Sequence, residues 1–267
     1  MAETIAVLSL KGGTGKTTTV RTLADAYRRN GLYVLCVDLD PQGNLSDYFD
    51  VPADASPTVA EVLTGQAGVA DAVHDDVLPA NLGLAEAEVV LAGKMGRELT
   101  LKRALRDVKR RYDLVIVDCP PSLGLLTVNA LVAADHAVIS SEAEYFSLQG
   151  VEQALEVVEL AKESLHPDLV WLGIVLNIAD MRLIHAREAL KSLRERFGEK
   201  VFESVIRRSV RYAESAERGV SILDYAPDLG ADYLALAAEM LERVGGFEET
   251  RARLNGASAS ASITPSP

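Results

Sequence analysis

Apolar residues along this chain fall into two kinds of run. The first kind is short and nearly unbroken, at 5–10, 33–37, 113–117, 136–140 and 170–176. Runs of that length suit buried strands of a parallel sheet covered on both faces. The second kind repeats at helical spacing. Leu23, Ala24, Ala26 and Tyr27 mark a helix over 17–29, and Leu101, Leu105 and Val108 one over 97–111. A further helix is expected over 124–132. Val151, Leu155, Val158 and Leu165 mark one over 148–165, and Leu234, Leu236 and Leu241 a closing helix over 230–244. Gly31 suits a left-handed cap after the first of these helices, and Gly245-Gly246 ends the last. Strands alternating with helices predict an α/β fold with a doubly wound, mainly parallel sheet. We expect a single domain over 1–246. Prolines and glycines break 50–99 into short pieces, with a short strand expected at 82–85. The segment 247–267 ends in small, polar and proline residues and is expected to be a disordered tail.

The chain has 267 residues, 48% hydrophobic and 25% charged, enough for a sizeable soluble core. No apolar run is long enough to span a bilayer, and the first run is interrupted at Lys11, unlike a leader segment. The expected location is cytoplasmic. Cys36 and Cys119 lie in or just after apolar runs, so neither a disulfide framework nor a metal site is expected. The net charge of -12 argues against a protein coated in nucleic acid. One region departs from that balance. Between 180 and 218 stand ten basic residues against seven acidic ones, Arg182, Arg187, Lys191, Arg207, Arg208 and Arg211 among them. From composition alone this is a solvated, salt-bridged helical face.

Three segments carry chemistry. Lys11-Gly12-Gly13-Thr14-Gly15-Lys16-Thr17-Thr18 lies between the first strand and the first helix. In a strand–turn–helix setting such a loop cradles phosphate. Its glycines let backbone N–H groups point inward, and the helix N-terminus adds partial positive charge. Lys16 is placed to reach the β- and γ-phosphates, Thr17 to coordinate Mg²⁺, and Thr18 to donate to the α-phosphate. Leu10 stands where the strict pattern has glycine, and Lys11 adds a second lysine. The second strand delivers Asp38-Leu39-Asp40-Pro41-Gln42-Gly43-Asn44 at the sheet edge where α/β folds bind ligands. Asp40 is the candidate for orienting an attacking water and, with Thr17 and Asp118, for the metal site, and Asp38 for supporting the metal shell. The run at 113–117 ends in Asp118-Cys119-Pro120-Pro121-Ser122. Asp118 is a second Mg²⁺ support, and Cys119 a small buried side chain.

Taken together, the loop, the DLDPQGN turn and the DCPPSLGLLTVNAL segment resemble the ParA/Soj-type partition ATPases, over about 5–244. The resemblance implies ATP and Mg²⁺ as cofactors and a slow, partner-stimulated hydrolysis. Residues 11–17 match the family's deviant Walker A loop, which implies that Lys11 reaches across a homodimer formed on ATP binding. Asp40 matches its catalytic aspartate and Asp118 its Walker B aspartate. Glu144, in Glu144-Tyr145-Phe146-Ser147-Leu148, is implied near ribose across the dimer, and Asn177 and Arg208 near the nucleotide. The family's D-x-R matches Asp180-Met181-Arg182, and its IPRNVR matches 206–211. That implies DNA binding without sequence preference. Arg182 and Arg211 are the leading contacts, with Arg187, Lys191 and Arg207 beside them. Such contacts are to phosphate and salt-sensitive. A ParB-like protein is the implied partner and the nucleoid the implied location.

Four residues depart from the family pattern: Arg207 and Ser209 in the IPRN stretch, Ser141 for a proline, and Leu10 for a glutamine. Three alternatives are open. The first is the same ATPase class positioning a protein cluster or shell. The second is a MinD-like membrane-surface switch, against which the tail lacks bulky apolar and basic spacing. The third is a metabolic or redox enzyme on this scaffold, such as the nitrogenase iron protein, whose cluster cysteines are missing here, or a biotin-pathway ligase.

Overall fold

A computed structural model describes residues 2–144 and 147–263, the side chains of 262 and 263 excepted. Its strands are β1 (Glu3–Leu8), β2 (Val34–Asp38), β3 (Val77–Leu78), β4 (Leu114–Asp118), β5 (His136–Glu142), β6 (Val170–Ala179) and β7 (Val201–Arg207). They form one sheet in the order β3-β2-β4-β1-β5-β6-β7, and every neighbouring pair is parallel. Because side chains alternate across a strand, an unbroken apolar run feeds two cores at once. Ile5, Val7, Val34, Cys36, Leu114 and Ile116 enter one core. Ala6, Leu8, Leu35, Val37, Val115 and Val117 enter the other. No helix among the described residues is long and apolar enough to cross a membrane.

The helices are α1 (Lys16–Arg29), α2 (Asn44–Tyr48), α3 (Val59–Thr64), α4 (Val69–Ala72), α5 (Gly83–Ala92), α6 (Thr100–Leu105) and α7 (Leu125–Ala133). They continue as α8 (Ser147–Ser164), α9 (Ile184–Phe197), α10 (Arg211–Glu217), α11 (Ile222–Tyr225), α12 (Pro227–Val244) and α13 (Glu248–Ile263). Leu23 and Tyr27 of α1, Leu236 and Leu241 of α12 and Leu254 of α13 fill the first core. Leu84, Leu101, Leu126, Val151 and Ala186, from α5 to α9, fill the second.

Three expectations need correction. Residues 82–85 are not a strand: they enter α5, whose buried Leu84, Ala87 and Leu91 have helical spacing, and the edge strand is β3. The helix expected over 97–111 is broken, with α6 flanked by 3-10 turns at Arg97–Leu99 and Lys109–Arg111. Leu101, Leu105 and Val108 are nonetheless buried, so the spacing located the core face and missed the break. The segment after Gly246 is helical up to residue 263. Leu254 is fully buried, Arg251 pairs with Glu242 of α12, and Arg253 donates to the Asn30 carbonyl. The small residues at its end masked one apolar anchor. Residues 264–267 lie outside the described residues.

Candidate nucleotide site

The site grows from the end of β1. Ser9 is its hub: its hydroxyl donates to the Lys11 carbonyl at 2.7 Å. The same oxygen accepts from Thr14 Oγ1 at 2.9 Å and from Lys16 Nζ at 3.0 Å. Gly13 and Gly15 take φ of 81° and 80°, which L side chains rarely adopt. Gly15 caps α1, and a Cβ there would meet Asn177 at 3.4 Å. The loop thus borders the cleft at the N-terminus of α1, the position at which a helix favours an anion. Its two lysines differ. Lys16 is 6% exposed, whereas the Lys11 side chain is 56% exposed at the rim, 3.8 Å from Glu144.

Sheet register assembles the acidic residues. Asp38 of β2 and Val7 of β1 both stand opposite Asp118 of β4. Thr17 Oγ1 donates to Asp118 Oδ2 at 2.6 Å, and Asp118 Oδ1 is buried with no partner among the described residues. Burial, reinforced by the charge of Asp38, pushes the Asp118 carboxyl above the usual carboxylate range. Burial likewise raises Asp38, against the hydrogen bonds it accepts from Ser46 and from the Asp40 amide. A cation beside Thr17 and Asp118 would relieve both effects. Mg²⁺ takes one or two protein oxygens and completes its shell with waters and phosphate, so no cage of ligands is required. Consistent with that, no cluster of three or more His, Cys, Asp or Glu set to hold a metal occurs among the described residues. The orphaned Asp118 oxygen and the adjacent hydroxyl fit the ion.

Asp38 stands opposite Asp118 and also organises the turn that follows β2. Oδ1 accepts from the Asp40 amide, and Oδ2 accepts from the amide and hydroxyl of Ser46. It is fully buried, and these hydrogen bonds pin the turn. That turn leaves Asp40 half-buried on the wall of the cleft, where its Oδ1 accepts from the Gln42 amide.

The cleft has a volume of about 790 Å³ and runs from the phosphate loop to the segment containing Ile206, Arg208 and Tyr212. Asn177 borders it and is buried under the loop, its amide donating to Thr19 Oγ1 and Ser140 Oγ. Next to it, Ile178 has φ 54°, a strained value for a β-branched residue, where the β6–β7 register is irregular. Arg208 is held through its backbone amide, which donates to the Ala179 carbonyl. Glu144 is near Lys11, while Tyr145 and Phe146 of the matching stretch lie outside the described residues.

The basic residues separate into two groups. Arg187, Leu190, Lys191 and Arg194 of α9 line a groove with Met181. Arg182 adjoins it, 89% exposed and paired with Asp180. Arg207 lines the nucleotide cleft instead, and Arg211 opens α10 after the cleft-lining segment. Arg207 pairs with Asp232 at 2.8 Å, and Arg211 with Asp228 at 3.3 Å and with the Tyr225 carbonyl. Sequence reasoning missed Arg21, Tyr48 and Tyr212 on the cleft wall. Arg21 lies three and four residues after Thr18 and Thr17, so helical spacing was the available signal.

A glycine-rich loop capping a helix, a buried lysine inside it and an aspartate–threonine pair at a parallel sheet edge define a phosphate-loop nucleotide-binding protein. The AAA domain family matches residues 2–171. The chain is 41% identical over 249 residues to sporulation initiation inhibitor protein Soj of Bacillus subtilis, spanning 90% of this chain and 98% of that one. It is 43% identical over 245 residues to the chromosome-partitioning ATPase Soj of Thermus thermophilus, spanning 90% and 96%. It is also similar to the crystal structure of a cobyrinic acid a,c-diamide synthase from Mycobacterium smegmatis with bound ADP and magnesium, with TM-score 0.74 and 38% identity over 81% of this chain and 93% of that one. The chain belongs to the ParA/Soj family of partition ATPases.

Proposed function

We propose that this protein is an ATP-controlled DNA-binding switch that segregates a chromosome or plasmid. Mg-ATP between two copies builds a dimer, and the dimer binds DNA without reading its sequence. The observation that carries this reading is the unequal environment of the two loop lysines. Lys16 is buried and faces the loop of its own chain, so it serves the nucleotide bound there. Lys11 is exposed at the rim, and among the described residues its ion-pair partner is Glu144. A solvent-exposed pair of that kind is worth roughly 0–1 kcal/mol, so a partner's triphosphate displaces it at little cost.

Within each site, Thr17 and Asp118 would hold Mg²⁺, which supplies charge neutralisation at the phosphates. Asp40 orients water toward the γ-phosphate, and Lys11 and Lys16 balance the charge that develops. Pairing two copies doubles the basic surface offered to one DNA molecule and raises affinity through effective concentration. A ParB-like partner speeds hydrolysis and releases the dimer. Sedimentation velocity tests the pairing step. With a non-hydrolysable ATP analogue and Mg²⁺, the natural protein is expected to sediment as a dimer and Lys11→Ala as a monomer. A dimer of equal strength in Lys11→Ala would contradict the cross-dimer role.

A further inference from the structure

Arg21 of α1 is 4% exposed, yet three elements meet at its guanidinium. Nη2 donates to the Tyr212 carbonyl at 2.9 Å and to Ser215 Oγ at 3.2 Å, both in α10. The guanidinium carbon lies 4.3 Å from the ring centroid of Tyr48, the last residue of α2. The Tyr48 hydroxyl in turn donates to Asp25, back on α1, at 2.9 Å. Arg21 Nε and the Tyr212 hydroxyl are buried without partners among the described residues. A buried cation is therefore held by a carbonyl, a hydroxyl and a ring face.

The elements it joins are short. Helix α2 has 5 residues and α10 has 7. Isolated helices below about 12–15 residues are marginal in water, so tertiary contacts set where these two sit. Helix α2 directly follows the turn of Asp40 and is tied to it through Ser46 and Asp38. Helix α10 starts at Arg211 and follows the 206–210 segment that lines the cleft. Arg21 itself lies one turn beyond Thr17 and Thr18 in the nucleotide helix.

We infer that Arg21 is a positioning residue that ties α2 and α10 to the nucleotide helix, so that occupancy of the phosphate loop sets the position of α10, which opens on Arg211. This rests on the proposed ATP switch. Coupling of that kind needs a physical element that meets both sites, and Arg21 lines the nucleotide cleft on the loop's own helix while hydrogen-bonding α10. Arg211 and Glu214 tie α10 to Asp228 and Tyr225, whereas the Arg21 hydrogen bonds tie it to α1.

Hydrogen–deuterium exchange on the full chain, with and without Mg-ATP, tests the inference. In the natural protein Mg-ATP is expected to slow exchange both at 11–18 and at 211–217. Arg21→Met keeps the apolar stem against Tyr48 and removes every donor. It is expected to retain the slowing at 11–18 and to lose it at 211–217, while Arg21→Lys restores part of it. Ser215→Ala, which leaves α1 untouched, is expected to weaken the response at 211–217 and serves if Arg21→Met does not fold. An unchanged response at 211–217 in both Arg21→Met and Ser215→Ala overturns the inference. So does exchange that is faster with and without nucleotide by the same factor, which marks packing alone. Slowing at 11–18 with none at 211–217 in the natural protein overturns this inference and leaves the switch standing. No slowing at 11–18 overturns the switch, and this inference with it.

Discussion

Lys16 and Asp40 show how much one side chain decides. Lys16 is buried, its Nζ donates to Ser9, and the proposed role puts it against the phosphates. A hydrogen bond to a charged group is worth about 1.5–3 kcal/mol, and several are lost together here. Lys16→Ala is therefore expected to abolish binding of a fluorescent ATP analogue at micromolar concentration in an anisotropy titration. Asp40 differs because its side chain stands on the cleft wall and supports little of the fold. Asp40→Ala is expected to bind ATP and dimerise but to turn over at least about 100-fold more slowly in a phosphate-release assay, the scale of general-base contributions. Rapid turnover by that variant removes Asp40 from its role. At this scale the phosphate loop was legible, because its glycines and lysine must occupy fixed positions to surround phosphate. Asp38 and Asp40 look alike at a strand end, and only the fold separates them: Asp38 is buried and accepts from Ser46 and the Asp40 amide, while Asp40 borders the cleft. Arg21 carried no motif, since what it touches comes from α2 and α10.

Among the elements, α13 and α10 carry the clearest consequences. Helix α13 lies against α12, and its anchor Leu254 is fully buried. Leu→Ala in a core costs about 2–5 kcal/mol. Leu254→Ala is expected near the low end of that range, at the edge of the core, and a urea midpoint unchanged from the natural protein would show that α13 is not docked in solution. Helix α10 presents Arg211, which is tied to Asp228 and to the Tyr225 carbonyl. Arg211→Glu reverses the charge beside Asp228, and DNA retention is expected to fall while dimerisation by sedimentation is kept. Undiminished retention would return this region to an ordinary salt-bridged face. Elements were legible where burial is one-sided and regular, as in α1, α8 and α12. They were not legible between 50 and 110, where short helices take their bounds from turns and packing rather than from period. Helix α5 illustrates this: Val89 is 76% exposed and Val90 54%, so apolar content there does not mark the core.

The whole molecule follows from a sheet buried on both sides. Five central strands read directly from unbroken apolar runs, because each run must supply two cores. The edge strand β3, with 2 residues, is too short to leave a pattern. That same burial makes both cysteines inert. It pushes the Cys36 thiol up to about 12 and the Cys119 thiol higher still. Thiolate is the reactive form, and at neutral to mildly alkaline pH neither side chain supplies it. Iodoacetamide at pH 8 is expected to leave both unlabelled in the native protein and to label both in urea, as read by mass spectrometry. Charge is the other property set by the whole chain. A net charge of -12 opposes DNA, so the proposed binding requires a local basic surface that the proposed pairing would double. Contacts of this kind are to phosphate and fall steeply with salt.

The decisive measurement is retention of a DNA fragment of arbitrary sequence by the natural protein, compared between Mg-ATP and Mg-ADP in the same low-salt buffer. Retention with ATP, little with ADP, and loss of the ATP signal in Lys11→Ala is the predicted result. Equal retention with both nucleotides would contradict a switch operated by the triphosphate.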